Sequence, residues 1–371
     1  MCDYPAVDPG TISVMGESQI LLMNDFLKRM LIGLTTGYII VYYGELVFWA
    51  TPEREGMTVG SIIIIWLAYS VMAYVFLCVV SVFKVRNVWA VFLAGAFYGW
   101  FEEGIVVQTM YGTPDGSFPM SISFTGLAWH ALIGVFVGWY LVRKVLAENK
   151  FLKTIGLASA IGLFYGFWGI WWWNEPPEQM KALLDAGQKD ILFVRFGIFA
   201  LCTSAFLILA HWVYNRVMPF VFKPSKVELW FFGVVTLLYY AFVTVPAAPK
   251  AIWVLPPLMA ITFLALNKNR RLESQPDVIS AFDAKVKPLN YLLLFFIPLV
   301  AIGIYFLALA AEARLRTNMV VYYVSGTLGA LLWIVSVVMM FRRRAATNDN
   351  NPNAEPGAAP DRRGISASRG V

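Results

Sequence analysis

Ten apolar stretches, each about as long as a membrane-crossing helix, constrain this sequence more than any other feature. A helix rises 1.5 Å per residue, so about 20 apolar residues cover the ~30 Å hydrocarbon layer of a bilayer. The 371-residue chain is 59% hydrophobic and only 14% charged, whereas soluble domains are about 45–50% apolar. We therefore predict an all-α, polytopic transmembrane bundle. Its spans lie near 31–50, 59–83, 88–111, 122–142, 154–173, 191–213, 227–245, 251–266, 291–311 and 318–341.

The eighth stretch, 251–266, is the least regular of the ten. It is short and contains Pro256 and Pro257. Proline removes a helical hydrogen bond and bends the chain, so this stretch is predicted to kink or to cross only part of the membrane.

The positive charges of the chain indicate its orientation. Most of the 29 Lys and Arg residues fall between the predicted spans on one side. Cytoplasmic loops are enriched in these residues, so both termini are predicted to be cytoplasmic, in a bacterial-type inner membrane. The net charge of +6 is then a consequence of topology. The predicted partner is the lipid bilayer, with no nucleic acid, and the oligomeric state stays open.

Three regions follow from this pattern. Residues 1–30 form a cytoplasmic arm, 31–341 the transmembrane domain, and 342–371 a polar tail that we predict to be disordered. Cys78 and Cys202 lie inside predicted spans, so no disulfide framework is expected. The spacing of possible ligands along the sequence shows no metal-binding pattern and no cofactor motif, so neither is predicted.

Polar residues are concentrated in the third and fourth stretches. Glu103 near the outer end of one stretch and His130 near the start of the next are expected at similar depth in a helical hairpin. Small residues four apart allow membrane helices to approach closely. The ridges in question are Gly95, Gly99 and Glu103 on one helix, and Gly126, His130, Gly134 and Gly138 on the other. If the hairpin folds about Gly116 and Ser117, Glu103 faces His130, Gly99 faces Gly134 and Gly95 faces Gly138.

Three further residues extend this polar region. Glu102 adjoins Glu103 but points about 100° away around the helix. Glu45 lies in the outer half of the first stretch, and Arg195 near the outer end of the sixth is a possible counter-ion. Ionisable groups are costly inside a membrane and commonly mark a functional site. We therefore expect a substrate-binding or proton-binding cluster of Glu45, Glu102, Glu103, His130 and Arg195. A buried network that only fixes helix packing is the structural alternative.

A second group of residues resembles a known motif series. The pair Glu102 and Glu103, then His130, then His211 and Asn215 in a His-x-x-x-Asn pattern, resembles the CAAX-type glutamic intramembrane proteases. The resemblance implies that a glutamate activates water with the help of His130, while His211 and Asn215 stabilise an oxyanion. Val107 stands where the family has Arg, and Gly126 where it has Phe.

The predicted topology separates the parts of that motif. The sixth stretch runs inward, which places His211 near the cytoplasmic face, whereas Glu103 and His130 lie in the outer half. The favoured function is therefore transport or binding of a small cationic or proton-exchanging solute. An intramembrane glutamic protease is the alternative, and a structural or assembly role is the second alternative.

Overall fold

The computed structural model describes residues 24–51, 56–112, 117–174, 176, 178–282 and 285–343. Every regular element within these ranges is helical. In chain order the long helices are α1 (Asp25–Trp49), α2 (Val59–Val82), α3 (Val88–Phe101, continued by Glu102–Val106), α4 (Ile122–Ala147), α5 (Phe151–Gly169), α6 (Lys189–Val217), α7 (Lys226–Ala247), α8 (Ala251–Leu272), α9 (Pro288–Ala310) and α10 (Thr317–Arg342).

Nine of these helices are long and apolar enough to cross a membrane, as expected of a multi-pass membrane protein. The remaining one is α3, which matches the third predicted span. It ends at Val106, earlier than the predicted position 111, and the chain then turns through Gln108 in a left-handed conformation. The carboxylates of Glu102 and Glu103 make α3 less apolar than the other nine. Helix α3, which carries Glu102 and Glu103, is therefore the least apolar of the ten long helices.

The eighth predicted span is longer and more regular than expected. Helix α8 covers the 22 residues Ala251–Leu272 with Pro256 and Pro257 inside it. At 1.5 Å per residue this is about 33 Å, enough for a full crossing. The predicted partial crossing is therefore not needed to accommodate the two prolines.

The predicted terminal regions fall largely outside the described residues. Of the arm predicted at 1–30, the structure describes residues 24–30, and α1 already begins there at Asp25. The Asn24 side chain caps this helix by accepting a hydrogen bond from Leu27 N at 2.9 Å. Of the tail predicted at 342–371, residues 342 and 343 are described.

Burial differs strongly between helices and identifies the centre of the bundle. The most apolar stretch of α1 is 83% buried, whereas the most apolar stretch of α7 is 6% buried. Helix α1 packs closely on α2 at Gly37, because this residue has no side chain. A Cβ at this position would lie 2.5 Å from Ser70 Cα. It also contacts α6, where the Tyr42 hydroxyl lies 2.7 Å from Ser204 Oγ. The polar site is built around this central helix.

Candidate functional site

Four ionisable side chains from three helices meet inside the bundle. They are Glu45 of α1, Glu102 and Glu103 of α3, and His130 of α4, and one donor atom from each lies within 4.8 Å of the others. His130 is 0% exposed, Glu102 1% and Glu103 5%, and Glu45 is partly buried. We call these four residues the Glu/His cluster.

His130 lies between the two neighbouring carboxylates. Its Nε2 atom is 2.8 Å from Glu103 Oε1 and forms a hydrogen bond with it. Its Nδ1 atom is 3.1 Å from Glu102 Oε2, but neither of these two atoms has a hydrogen-bond partner. The structure therefore contains the predicted contact between Glu103 and His130. It also turns Glu102 toward the same ring, although the two glutamates are adjacent in sequence.

Two tyrosines complete the surroundings of the cluster. The Tyr69 hydroxyl donates a hydrogen bond to Glu45 Oε1 at 2.6 Å. The Tyr98 ring lies 6.0 Å from the His130 ring, and its buried hydroxyl has no hydrogen-bond partner. Sequence reasoning missed both residues. Tyr98 precedes Glu102 by four positions, which places them on one helical face and could have identified it, whereas nothing in the sequence singles out Tyr69.

All four cluster residues lie in π-helical segments. Glu45 is in Tyr42–Leu46, Glu102 and Glu103 are in Glu102–Val106, and His130 is in Ile122–Leu141. In a π turn the backbone bonds from i to i+5, as Val107 N does to Glu102 O at 2.9 Å. Such turns are rare and occur frequently at functional sites. They change the direction of side chains relative to a regular α-helix, so they explain how Glu102 and Glu103 both reach His130.

Glycines allow the three helices to approach each other around the cluster. A Cβ on Gly44 would lie 3.0 Å from His130 Nδ1, so the absence of a side chain there leaves space for the imidazole. A Cβ on Gly99 would collide with the backbone oxygen of Gly126. Helices α3 and α4 are therefore in backbone contact one turn from Glu103.

The predicted pairing of the glycine ridges is wrong, although the predicted polar contact is present. Gly99 packs on Gly126, and Gly95 packs on Ala131. Gly134 and Gly138 instead face α1, where they contact Ile40 and Tyr43. The two hairpin helices are thus offset from the predicted register. Glu103 still reaches His130 because helical side chains lean toward the N-terminus of their own helix, which extends its reach. Of the two predicted hairpin-tip residues, Gly116 lies outside the described residues.

Arg195 is placed apart from the cluster. It is exposed on α6, whereas the Glu/His cluster lies inside the bundle. The position of Arg195 along α6 is readable from the sequence, but the face on which it lies is not. His130 is consequently the basic residue that contacts Glu102 and Glu103.

His211 and Asn215 lie toward the other end of the bundle. Helices α1 and α6 are antiparallel, because Lys28 at the start of α1 lies 5.9 Å from the ring of Phe220 just beyond α6. These helices touch midway at Tyr42 and Ser204. His211 is two turns from Ser204 on the side of Phe220, and Glu45 is on the opposite side of Tyr42. The fold therefore separates His211 from the Glu/His cluster.

The surroundings of His211 differ from those of the cluster. Its side chain is buried near Arg143, toward the far end of α4. The Arg143 guanidinium lies 4.0 Å from the centre of the Tyr214 ring and donates a hydrogen bond to the Ile279 carbonyl at 3.0 Å. Asn215 donates to the Tyr291 hydroxyl at 2.8 Å. No carboxylate contacts His211 within the hydrogen-bond or ion-pair distances found among the described residues.

An apolar cavity of about 540 Å³ lies between α2, α3, α7 and α8. Its lining is apolar and includes Phe101 and Ile105, which flank the two glutamates in sequence. None of the four cluster residues lines it. The Glu/His cluster is therefore separate from this cavity.

The cluster has the donor atoms of a metal site. Carboxylate oxygens and an imidazole nitrogen are common metal ligands, and the set Glu45, Glu102, Glu103 and His130 could hold an ion. The sequence contained no metal-binding pattern because the four ligands come from three separate helices. No family model matches the chain, and no curated protein or solved structure matches it significantly.

Proposed function

We propose that the protein binds a small cation at the Glu/His cluster and moves it across a membrane, either alone or in exchange for protons. The observation that carries this proposal is the convergence of ionisable groups in the cluster. Atoms from three carboxylates and one imidazole lie within 4.8 Å of one another. Carboxylates held this close inside a helical bundle repel one another, and a bound cation or proton relieves that repulsion.

The incomplete pairing of the cluster supports a binding role over a purely structural one. A network that only fixes helix packing is expected to satisfy its buried polar atoms. Here Glu102 Oε2, Glu103 Oε2 and His130 Nδ1 are buried without hydrogen-bond partners. Two of these atoms, His130 Nδ1 and Glu102 Oε2, lie 3.1 Å apart, so a cation beside them would contact both.

The membrane setting belongs to the same proposal. We place the chain in a bacterial-type inner membrane with both termini in the cytoplasm, supported by the distribution of Lys and Arg and by nine apolar helices. Reporter fusions at the C-terminus and in the loop between α8 and α9 test this topology. Both reporters are expected to be active in the cytoplasm, and an external signal from either one would contradict the orientation.

Ion flux in reconstituted liposomes tests the function directly. Vesicles containing the purified protein and a pH-sensitive dye receive an inward gradient of Mn²⁺, Zn²⁺, Na⁺ or K⁺, and uptake of the ion and internal pH are recorded. The wild-type protein is expected to take up at least one of these cations. Glu103→Gln removes the charge at nearly constant size and is expected to abolish the uptake.

Glu148→Gln is the matched control for this experiment. Glu148 is at the surface and pairs with Lys153 at 2.5 Å, so the same chemical change there is expected to leave uptake intact. Equal uptake by wild type and Glu103→Gln would contradict the proposal. Absence of uptake in wild type, together with loss of thermal stability in Glu103→Gln, would instead favour the structural role.

The protease resemblance provides a competing function with a distinct signature. The adjacent Glu102 and Glu103 beside His130 match part of that motif series, whereas His211 is separated from them as described above. A protease of this type requires the glutamate and both histidines at one reacting centre. Cleavage of a membrane-tethered peptide that is lost in both Glu103→Gln and His211→Gln would favour the protease and count against the transport proposal.

A further inference from the structure

We propose that the Glu/His cluster is a binding site for one divalent first-row transition-metal ion, with Mn²⁺ and Zn²⁺ as the ions used to test it. This inference rests on the proposed function because it names the class of cation that the same site would accept. Binding and movement of the ion are nevertheless separate properties. The arguments below concern binding alone.

The spacing of the donor atoms fits a metal ion. Oxygen and nitrogen ligands lie about 2.0–2.2 Å from such ions, so adjacent octahedral ligands are about 3 Å apart and opposite ones about 4.2 Å. His130 Nδ1 and Glu102 Oε2 are 3.1 Å apart, as expected for adjacent ligands. One donor atom from each of the four cluster residues lies within 4.8 Å of the others, which also brings a Glu45 oxygen near this pair.

The unpaired atoms of the cluster are the ones that the ion would use. Metal-bound histidines donate their second ring N–H to a carboxylate or carbonyl. His130 already has such a bond through Nε2 to Glu103 Oε1 at 2.8 Å. Its other nitrogen, Nδ1, has no hydrogen-bond partner, nor do Glu102 Oε2 and Glu103 Oε2. We assign His130 Nδ1 and Glu102 Oε2 as ligands, with a Glu45 oxygen as the third, and Glu103 as the carboxylate that orients the ring through Nε2.

The side chain of Tyr98, which is not one of the proposed ligands, gives a second reason to place an ion at the cluster. Its side chain is 0% exposed, its ring lies 6.0 Å from the His130 ring, and its hydroxyl has no hydrogen-bond partner. A water or carboxylate oxygen that is held in place by the bound ion would accept a hydrogen bond from this unsatisfied buried hydroxyl.

The chemistry of the donor set selects the class of ion. Two carboxylate ligands and one imidazole mix hard oxygen with a borderline nitrogen ligand, which suits Mn²⁺, Fe²⁺, Co²⁺ and Zn²⁺. Ca²⁺ favours six to eight oxygen ligands, and Mg²⁺ retains several waters and gains little from imidazole. Ca²⁺ and Mg²⁺ are therefore expected to compete weakly.

Metal content and spectroscopy of the purified full-length protein test the site without any flux measurement. After incubation with Mn²⁺ or Zn²⁺ and gel filtration, elemental analysis is expected to give about one ion per chain. The Mn²⁺-loaded protein is expected to show electron-spin-echo modulation from a single imidazole ¹⁴N. An excess of Ca²⁺ or Mg²⁺ is expected to leave most of the Mn²⁺ bound.

Variants assign the signal to the cluster. Replacing a ligand, as in Glu45→Gln or His130→Gln, should weaken Mn²⁺ binding by more than about 100-fold, because loss of an outer partner alone typically costs about 10–100-fold. Tyr69→Phe removes the hydrogen bond to Glu45 and is expected to weaken binding within that smaller range. It changes a single hydroxyl, so it also tests the site if the ligand variants fail to fold. Glu148→Gln is the control and should bind Mn²⁺ as wild type does.

The outcomes separate this inference from the proposed function. A stoichiometric ion with ¹⁴N modulation but no flux supports the metal site and contradicts transport. Flux of a proton or a monovalent cation without stoichiometric Mn²⁺ or Zn²⁺ supports transport and overturns the metal site. Equal Mn²⁺ affinity in wild type, Tyr69→Phe and Glu45→Gln would also overturn it.

Discussion

Replacing Gly99 by alanine tests how strongly the cluster depends on the close contact between α3 and α4. A Cβ at this position would lie 2.7 Å from the carbonyl carbon of Gly126 and 2.9 Å from its Cα, and still closer to its oxygen. Ordinary contacts of a Cβ are 3.4–4 Å. The colliding atoms all belong to backbone, so no side chain can move aside and the two helices must separate.

The expected cost follows from two opposing terms. Overpacking of this kind costs about 1–3 kcal/mol, whereas replacing a helical glycine by alanine contributes about 0.5–1 kcal/mol in favour of the folded helix. We expect Gly99→Ala to lower the free energy of unfolding by about 1–2 kcal/mol. Because Glu103 lies one turn further along α3, the separation should also lengthen its 2.8 Å contact with His130.

Gly156→Ala is a control for which the expected change in unfolding free energy has the opposite sign. It lies in α5, and a Cβ built there meets nothing within 4 Å. Gly156→Ala therefore keeps only the favourable helical term and should raise the free energy of unfolding by about 0.5–1 kcal/mol. Unfolding in mixed micelles with increasing SDS, followed by tryptophan fluorescence, measures both changes. If Gly99→Ala were as stable as Gly156→Ala, the backbone contact between α3 and α4 would not limit packing.

Three further predictions concern contacts outside the cluster. Ser204→Ala leaves the Tyr42 hydroxyl unsatisfied and should cost about 1–3 kcal/mol. Adding Tyr42→Phe should recover part of that cost, as a double-mutant cycle of unfolding free energies would report. Asn87→Ala removes the side-chain cap at the start of α3 and the hydrogen bond to Asn269 and should cost about 2 kcal/mol, whereas Asn87→Ser keeps the cap and should cost about half as much. Burial is the largest single effect on Glu273 and raises its pKa, but the hydrogen bonds from Arg343 and Gln275 N and the charges of Arg343 and Arg86 together outweigh it, so the net pKa is lowered. This stabilisation is present above the unfolded pKa of about 4.3 and is lost as the pH falls through the lower folded pKa. Hydrogen exchange at the end of α10, corrected for intrinsic rates, should therefore increase in acid.

The sequence was sufficient for the architecture because helix length and apolarity are local properties. Each predicted span has a helix in the structure, and their centres agree. The ends differ where local polarity or proline obscures them, as at α3, which stops at Val106, and at α8, which continues to Leu272. A span prediction cannot fix such ends because apolar character changes gradually along the chain.

The candidate site was predictable in part. The contact between Glu103 and His130 was predictable because both residues lie at the same depth in neighbouring spans. Glu45 was predictable as a member of the cluster because it lies in the same outer half. The pairing of Gly99 with Gly126 was missed because the register of a helical hairpin depends on where its helices end, and α3 ends at Val106 instead of at the predicted position 111. The position of Arg195 on the exposed face of α6 was missed because rotation of a helix with apolar residues on all sides is not determined by its sequence.

The π turns of α1 and α3 have a consequence for how such a site can arise. A π turn holds one additional residue while the helix on either side keeps its facing. Deleting Gly44 from α1 or Gly104 from α3 would therefore restore an α turn and leave both flanks packed as before. The same deletion in an α-helical part would rotate everything beyond it by about 100°. Two bundles with the same packing of the flanking helices can thus differ, by a single-residue change in length, in where the side chains within these turns point.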